Sequence, residues 1–445
     1  MKTDTIAALS TAQGVGGVAV IRISGEKSIE IAEKIFKPLK NIKVKDFEPY
    51  KMYVGEIEGD GFTDFGMAVY FKAPNSYTGE DVVELHTHGG IAITRGVLTK
   101  IYELGARPAS KGEYTKRAFL NGKMSLSSCE GLIDMINSES VGEVKAGYYL
   151  YREKLTEKVK KLQDKLTYAL AYINAGIDYP EEGVAEDNGD EILSSINFVI
   201  AEIKEIISRY RSGRIIKEGV KVAILGKPNT GKSSLLNSLL NYDKAIVSSV
   251  AGTTRDIVEG EIRINGIKFY LSDTAGLRES DDEVESVGIE RARKTVRGSD
   301  ILIVVLDGSG NLTKEDESAL KETEGAERII VANKTDIGDK GITADIKISA
   351  LTGDNVEKLK EMLYERAVGG KIDLNGDFLT EERHYYALKS ALDYLESASE
   401  NFGKDTLEIT ASDINSAWES LGEVSGLTAN EKIIDEIFSK FCVGK

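Results

Sequence analysis

Apolar and polar positions follow three different rhythms along this chain. In the middle, short apolar runs come one after another. Residues 301–306 are continuously apolar, as a parallel strand buried on both faces requires. Similar strands are predicted at 222–225, 267–272 and 329–332, with a short one ending at Ser349 and a helix over 234–240. Residues 261–264 and 267–271 flank Asn265-Gly266, a strong two-residue hairpin signal. One antiparallel pair therefore joins an otherwise parallel, doubly wound α/β sheet.

Before this region the rhythm is α+β. Strands are predicted at 5–9, 18–23, 65–71 and 82–88, and helices at 28–36 and 91–103. Gly14, Gly16 and Gly17 read as a turn, because a dinucleotide fingerprint needs a strand before it and a helix after it. From about 125 the spacing becomes helical. Leu155, Val159, Leu162, Leu166, Leu170 and Ile173 form one stripe, and Ile192, Ile196, Val199, Ile203, Ile206 and Tyr210 another. Asp178-Tyr179-Pro180 breaks the first long helix. Helical spacing resumes at about 379. The economical arrangement has four segments: an α+β domain at 1–120, an all-α domain made from 121–214 and 376–445, and an α/β domain at 215–375 inserted into it. Insertion is tolerated where the two chain ends lie close together.

The inserted region carries the chemistry. Residues 226–233 read Gly-Lys-Pro-Asn-Thr-Gly-Lys-Ser, a phosphate-binding loop between a strand and a helix start. Asn229, Thr230, Gly231, Lys232, Ser233 and Ser234 make its binding set. Lys232 is placed to reach the β- and γ-phosphates, and Ser233 to hold magnesium. Asp273-Thr274-Ala275-Gly276 closes the next strand, where a carboxylate can approach magnesium through water and the Gly276 N–H can meet a γ-phosphate. Asn333-Lys334-Thr335-Asp336 follows the strand at 329–332. The Asp336 carboxylate can accept from guanine N1–H and the 2-amino group; adenine lacks that donor pair, so a site built this way rejects ATP. Ser349-Ala350-Leu351 offers a backbone N–H to guanine O6. Ser248, Ser249, Val250, Ala251 and Gly252 lead to Thr253 and Thr254, and Thr254 is the residue expected to add a second hydroxyl to magnesium. Each short motif is weak alone. Their order, each after a strand, implies a P-loop hydrolase of GTP.

One position departs from the common pattern. Leu277 stands where Ras-like enzymes place a water-orienting glutamine. Either hydrolysis is slow, or other groups supply catalysis. Arg278, Glu279, Asp281, Asp282, Glu283 and Glu285 are nearby candidates, and most of that acidic run reads as a solvated loop.

Composition adds limits. A charge of −16 gives no support for a nucleic-acid partner gripped over the whole surface. An apolar content of 41% and a charged content of 29% describe an ordinary globular chain. The absence of a long apolar segment predicts no membrane partner and a cytoplasmic location. Cys129 and Cys442 suggest neither a disulfide framework nor zinc. Cys442 reads as a small buried hydrophobe before it reads as a nucleophile. His86 and His88 share one strand face; packing or hydrogen bonding is the better reading than half a metal site. By pattern alone Glu84 is a solvent-facing strand residue.

The flanks carry a resemblance. Residues 4–8, Gly16-Gly17-Val18, residues 20–25, 75–85 and 112–123, and the terminal Phe441-Cys442-Val443-Gly444-Lys445 resemble the MnmE (TrmE) family of tRNA modification GTPases. That family lies within the TrmE-Era-EngA-YihA-Septin-like GTPase superfamily. Val443 stands where relatives usually have Ile, and Met124-Ser125-Leu126 where they often have Leu-Asp-Leu, so Ser125 removes a charge close to Lys123. The resemblance implies an α/β P-loop GTPase domain inserted into a helical domain, preceded by an N-terminal folate-binding and dimerisation domain. It implies GTP, Mg2+, K+ and 5,10-methylenetetrahydrofolate or a formyl-tetrahydrofolate as ligands. It also implies a homodimer, the flavoprotein MnmG (GidA) in a heterotetramer, and tRNA as substrate. Arg22, Glu84, Lys123 and Lys445 match the family's folate contacts. Asn229, Ser248, Val250 and Thr253 match its potassium ligands, and Glu285 its catalytic glutamate, with Arg255 and Arg278 assisting. Two other functions stand beside this one: a GTP-dependent ribosome-assembly factor, which expects a basic RNA-binding module, and a folate-binding scaffold that only signals.

Overall fold

The computed structural model describes residues 4–241, 260–273, 298–369 and 377–445. The chain divides into two compact units: 1–136 with 149–200 and 387–445, and 137–148 with 201–386.

The first unit holds a seven-stranded sheet in the order β3-β4-β5-β6-β2-β1-β7. Its strands are β1 (Ile6–Leu9), β2 (Gly16–Ser24), β3 (Phe36–Pro38), β4 (Met52–Glu58), β5 (Thr63–Phe71), β6 (Val82–Gly89) and β7 (Arg107–Pro108). Side chains alternate across a strand, so β2 sends Ile21 and Ile23 to one face and Arg22 to the other. The first face is closed by the helices Ser28–Ile35 and Ile91–Glu103, with Ile31, Ile35, Val97 and Ile101 packed on Ile21, Ile23, Val83 and Leu85. On the other face, register aligns Arg22 with Glu84 and Glu84 with Val69; the next row aligns Val20, His86 and Met67.

β4 and the short β3 were not foreseen. The exposed Met52 and Val54 make the two faces of β4 look alike in hydrophobicity, which hides the alternation. The glycines expected as a turn are partly strand: Gly16 and Gly17 open β2.

Helices Lys154–Asp178 and Leu407–Ser425 pack in the same unit, where Gln163 Nε2 donates to the Trp418 carbonyl at 2.9 Å. The first stripe seen in the sequence is the buried side of the former helix: Leu155, Val159, Leu162, Leu166, Leu170 and Ile173 are all buried. The C-terminal tail lies along the segment before the helix Glu113–Leu120. Gly112 N–H donates to the Cys442 carbonyl at 3.3 Å and Tyr114 N–H to the Lys445 carbonyl at 3.2 Å. Gly444 has φ +97°, and a Cβ there would lie 2.0 Å from the Leu9 carbonyl oxygen, so the tail can pass only with glycine.

The second unit holds a six-stranded sheet, order β13-β12-β11-β8-β10-β9. These are β8 (Val220–Leu225), β9 (Gly260–Ile264), β10 (Ile267–Asp273), β11 (Ile301–Asp307), β12 (Arg328–Asn333) and β13 (Ile346–Lys347). All pairings are parallel except β9–β10, the expected hairpin. Asn265 takes φ +50° and Gly266 φ +83°, the left-handed pair a tight hairpin turn demands. Both faces are covered. Ile303 and Val305 join Leu235, Leu239, Leu359 and Leu363 on one side, while Val304 and Leu306 meet Ala319, Leu320 and Ile342 on the other. That two-sided burial is why β11 is an unbroken apolar run.

Candidate functional site

The carboxyl ends of β8, β10, β11 and β12 share one edge of the parallel sheet, the edge where open α/β sheets bind ligands. The loop after β8 leads into the helix Lys232–Asn241. Its backbone takes positive φ at three positions: Gly226 φ +150°, Asn229 φ +63°, Gly231 φ +92°. A Cβ on Gly226 would lie 2.4 Å from the Val305 carbonyl oxygen, and one on Gly231 2.3 Å from Asn333 Nδ2. Both glycines are therefore required by packing as well as by angle. Thr230 and Lys232 are buried, and Asn229 is exposed. Lys232 Nζ donates to the Lys227 carbonyl at 2.8 Å, across the mouth of the loop. Ser233 and Ser234 follow it at the helix N-terminus, where the dipole favours an anion.

Asn333 ties three loops together. Its Nδ2 donates to the Thr230 carbonyl at 2.9 Å, and its Oδ1 accepts from the Ala350 N–H at 2.9 Å. The phosphate loop, the Asn-Lys-x-Asp loop and the Ser349–Leu351 segment are thus held in fixed relation by one buried amide. The Asp336 carboxylate is exposed, with Oδ1 accepting from the Ser349 hydroxyl at 2.6 Å. Leu351, two residues after Ser349, is exposed, while Ser349 is fully buried.

Two ion pairs at this edge were missed in the sequence. Asp307, the last residue of β11, accepts from Lys334 Nζ at 2.7 Å, and Lys334 sits at φ +69°. Burial pushes the Asp307 carboxyl up, but Lys334 and Ser309 outweigh it and hold it below the usual carboxylate range. Lys227 Nζ donates to Asp316 Oδ2 at 2.7 Å, pinning the start of the phosphate loop to the capped helix Lys314–Glu322. A carboxylate at the end of an apolar parallel strand was the available signal for Asp307.

Asp273 ends β10 at the same edge as the phosphate loop, in register with Ile224. Ser248, Ser249, Val250, Ala251, Gly252, Thr253, Thr254, Arg255, Thr274, Ala275, Gly276, Arg278 and Glu285 lie outside the described residues.

In the first unit, Arg22 and Glu84 lie on the sheet face opposite the two core helices. Glu84, solvent-facing by pattern, is instead largely covered: its side chain is 14% exposed and pairs with Arg22, Nε to Oε1 at 2.8 Å. Burial raises its carboxyl; His86 and Arg22 more than reverse this and hold it below the usual range. The Arg22 guanidinium lies over the Tyr77 and Tyr114 rings, 5.2 and 5.4 Å from their centroids. Tyr114 OH donates to the Arg22 carbonyl at 2.7 Å. Lys123 Nζ donates to the Pro74 carbonyl at 3.0 Å, and the half-buried Lys445 ends the tail held by Tyr114. Ser125 keeps no charge here; its N–H donates to Glu153 Oε1 at 3.0 Å. His88 Nδ1 lies 2.6 Å from Asp64 Oδ1, a hydrogen-bonding role as expected, and no group of metal-ligand type forms among the described residues. Cys442 is exposed, contrary to the packing expectation, whereas Cys129 is buried.

A glycine-lined phosphate loop, an Asn-Lys-x-Asp base loop and a Ser-Ala loop, joined by one asparagine at the edge of a doubly wound sheet, define a P-loop GTPase. The family model described as the MnmE helical domain matches residues 126–442, and that of the GTP-binding protein TrmE N-terminus matches residues 5–123. The chain is 38% identical over 460 residues to the tRNA modification GTPase MnmE of Natranaerobius thermophilus, covering 100% of both chains. It is 39% identical over 466 residues to that of Thermoanaerobacter pseudethanolicus, again covering 100% of both. Among solved structures, the G domain of the T. maritima FeoB iron transporter matches at 29% identity and a TM-score of 0.26, over 33% of this chain and 98% of that one. The chain belongs to the MnmE family of tRNA modification GTPases. No helix among the described residues is long and apolar enough to cross a membrane.

Proposed function

We propose that this chain is a potassium-activated GTPase that acts with the flavoprotein MnmG on tRNA. The pair adds an aminomethyl or carboxymethylaminomethyl group to C5 of the wobble uridine. The observation that carries the reading is the Asn333 bridge between the phosphate loop and the base loop, in a chain aligned end to end with its family.

In this reading Lys232 and the backbone N–H groups of 229–234 hold the phosphates, and Asp336 selects guanine. Ser233 and Thr254 would hold magnesium, and Asp273 would reach it through water. Asn229, Ser248, Val250 and Thr253 hold potassium. The loop donors that the structure describes fit: the Asn229 side chain and the Ser233 hydroxyl are hard oxygen donors beside the phosphate position. Potassium, when bound, supplies positive charge next to the γ-phosphate and answers the missing glutamine at Leu277. Glu285 orients water, with Arg255 and Arg278 assisting.

A reduced folate, methylene- or formyl-tetrahydrofolate, occupies the first unit against Arg22, Glu84, Lys123 and Lys445. The donor set fits: a carboxylate held ionised suits an amino-pyrimidinone edge, and the two lysines suit a glutamate tail. The folate supplies the one-carbon unit. The chain works as a homodimer in the cytoplasm, with the nucleotide domain at 215–375 inserted between helical parts at 121–214 and 376–445.

Mass analysis of wobble nucleosides tests this. Cells lacking the chain should show unmodified or partly modified wobble uridine, restored by the wild type and not by Lys232→Ala. Full modification in the deleted cells would overturn the proposal.

A further inference from the structure

The helix Lys154–Asp178 buries one stripe and leaves another in solvent. Lys154, Lys158, Lys161, Lys165, Tyr168 and Tyr172 recur at steps of four and three, so at 3.6 residues per turn they share one face, within about 80° of arc. Lys154, Lys161, Lys165 and Tyr168 are exposed; Lys158 and Tyr172 are half-buried. The acids between residues 154 and 172, Glu157 and Asp164, stand at one border of this face and not inside it. A helix face that serves only solubility alternates its signs and closes ion pairs along the helix. Here Lys154 pairs with Glu157 at 3.4 Å, while Lys161 and Lys165 reach no carboxylate among the described residues. At the far end of the row the Tyr168 and Tyr172 rings meet edge to face, with centroids 4.9 Å apart and hydroxyls 2.9 Å apart. Glu191 Oε2 accepts from the Tyr168 hydroxyl at 3.4 Å and holds that ring by its rim, and Tyr168 keeps 49% of its surface open. In a chain of net charge −16, this one-signed row runs against the composition as a whole.

We propose that this face binds RNA: the lysine row follows the phosphates of one strand, and an unstacked base lies on Tyr168. The helix rises about 27 Å from residue 154 to 172 at 1.5 Å per residue. A duplex strand carries one charge per about 3.4 Å of its axis, so such a row meets several phosphates in succession. Lysine is a flexible point charge, so these contacts position a strand without reading its sequence. The tyrosine end supplies what phosphates do not use. Every base has a π-face, and an exposed aromatic ring takes it whatever the sequence. An acidic protein surface would satisfy the lysines equally, but it brings no planar ring for the open tyrosine; the pairing of cations with an aromatic end is what favours RNA. A grip over the whole surface is opposed by the net charge, whereas a single stripe on one helix is not. The inference rests on the tRNA reading above and gives that substrate a place on the helical part of the chain.

The test titrates the full-length chain with a fluorescently labelled tRNA transcript at several salt concentrations, beside the double variant Lys161→Gln, Lys165→Gln and the single variants Tyr168→Ala and Tyr168→Phe. These side chains are exposed and lie outside the nucleotide site, so thermal melts and GTP turnover without tRNA should match the wild type. The double variant should weaken binding about tenfold at low salt and flatten the slope of log affinity against log salt by about 1.5, the value of two lost phosphate contacts. Tyr168→Ala should weaken binding about tenfold with the slope unchanged, and Tyr168→Phe should recover it, since the ring and not the hydroxyl takes the base. Variants that bind with wild-type affinity and slope would overturn the surface, and so would a wild-type chain that holds no tRNA at low salt. Variants that keep tRNA but no longer hold the flavoprotein would make the face a protein interface and overturn it too. None of these results touches the proposed function, which the wobble nucleosides of the deleted cells decide.

Discussion

Around the phosphate loop, the groups that meet a ligand are mostly backbone, held by local turns. On the sheet face of the first unit they are side chains, held by one another. Gly226, Gly231 and Lys334 take positive φ within short stretches of chain, and Asn333 locks them. Arg22 and Glu84 are 62 residues apart and meet only because β2 pairs with β6. A site of the first kind survives most changes outside its loops. A site of the second kind depends on each partner's charge, because removing one member leaves the other buried without its counter-ion.

The largest expected effect lies in the backbone-built site. Lys232→Ala removes a buried cation from it, and GTP turnover should fall by about 10²- to 10³-fold. Steady-state phosphate release measures it; a fall of less than threefold would mean the loop alone carries the phosphates. Next, Asp336→Asn should weaken GTP by about 10²-fold while improving xanthosine triphosphate, whose 2-oxo group accepts where guanine donates. Competitive nucleotide binding reads both, and an unchanged preference would place the base elsewhere.

In the first unit the effects are on stability. Glu84→Gln leaves Arg22 without its carboxylate and should cost about 1–3 kcal/mol in thermal or denaturant unfolding. A variant as stable as the wild type would reduce the pair to an ordinary surface contact. The smallest effect is a pH dependence. Glu113 is partly buried, which raises its carboxyl, but Arg107, the Ser110 N–H and Arg117 bring it down to about 2. Its folded-state value is depressed from 4.5, so its contribution is full above pH 4.5 and is lost as pH falls toward 2. Acid unfolding of Glu113→Gln should be less steep in that window; identical slopes would show that the pair does not titrate on unfolding.

The same contrast decides what could be read in the sequence. The phosphate loop, Asp336 and the Asn265-Gly266 hairpin are local, and each needs only a few neighbouring residues to be recognised. Asn333 was read as a base-loop residue, but its bridging role was not, because Thr230 lies 103 residues away and Ala350 17. Glu84 looked like a surface residue because periodicity shows which face a side chain takes, not what covers that face. Its place in a site came from the family resemblance alone. β4 escaped because exposed Met52 and Val54 blur the alternation that marks a half-buried strand.

The most direct test of the proposed mechanism is GTP hydrolysis by the full chain in potassium against sodium buffer, repeated with Asn229→Ala. The account predicts strong acceleration by potassium in the wild type and loss of that acceleration in the variant, whose exposed amide stands at the phosphate loop. Equal rates in the two buffers, or a variant that still answers to potassium, would contradict it.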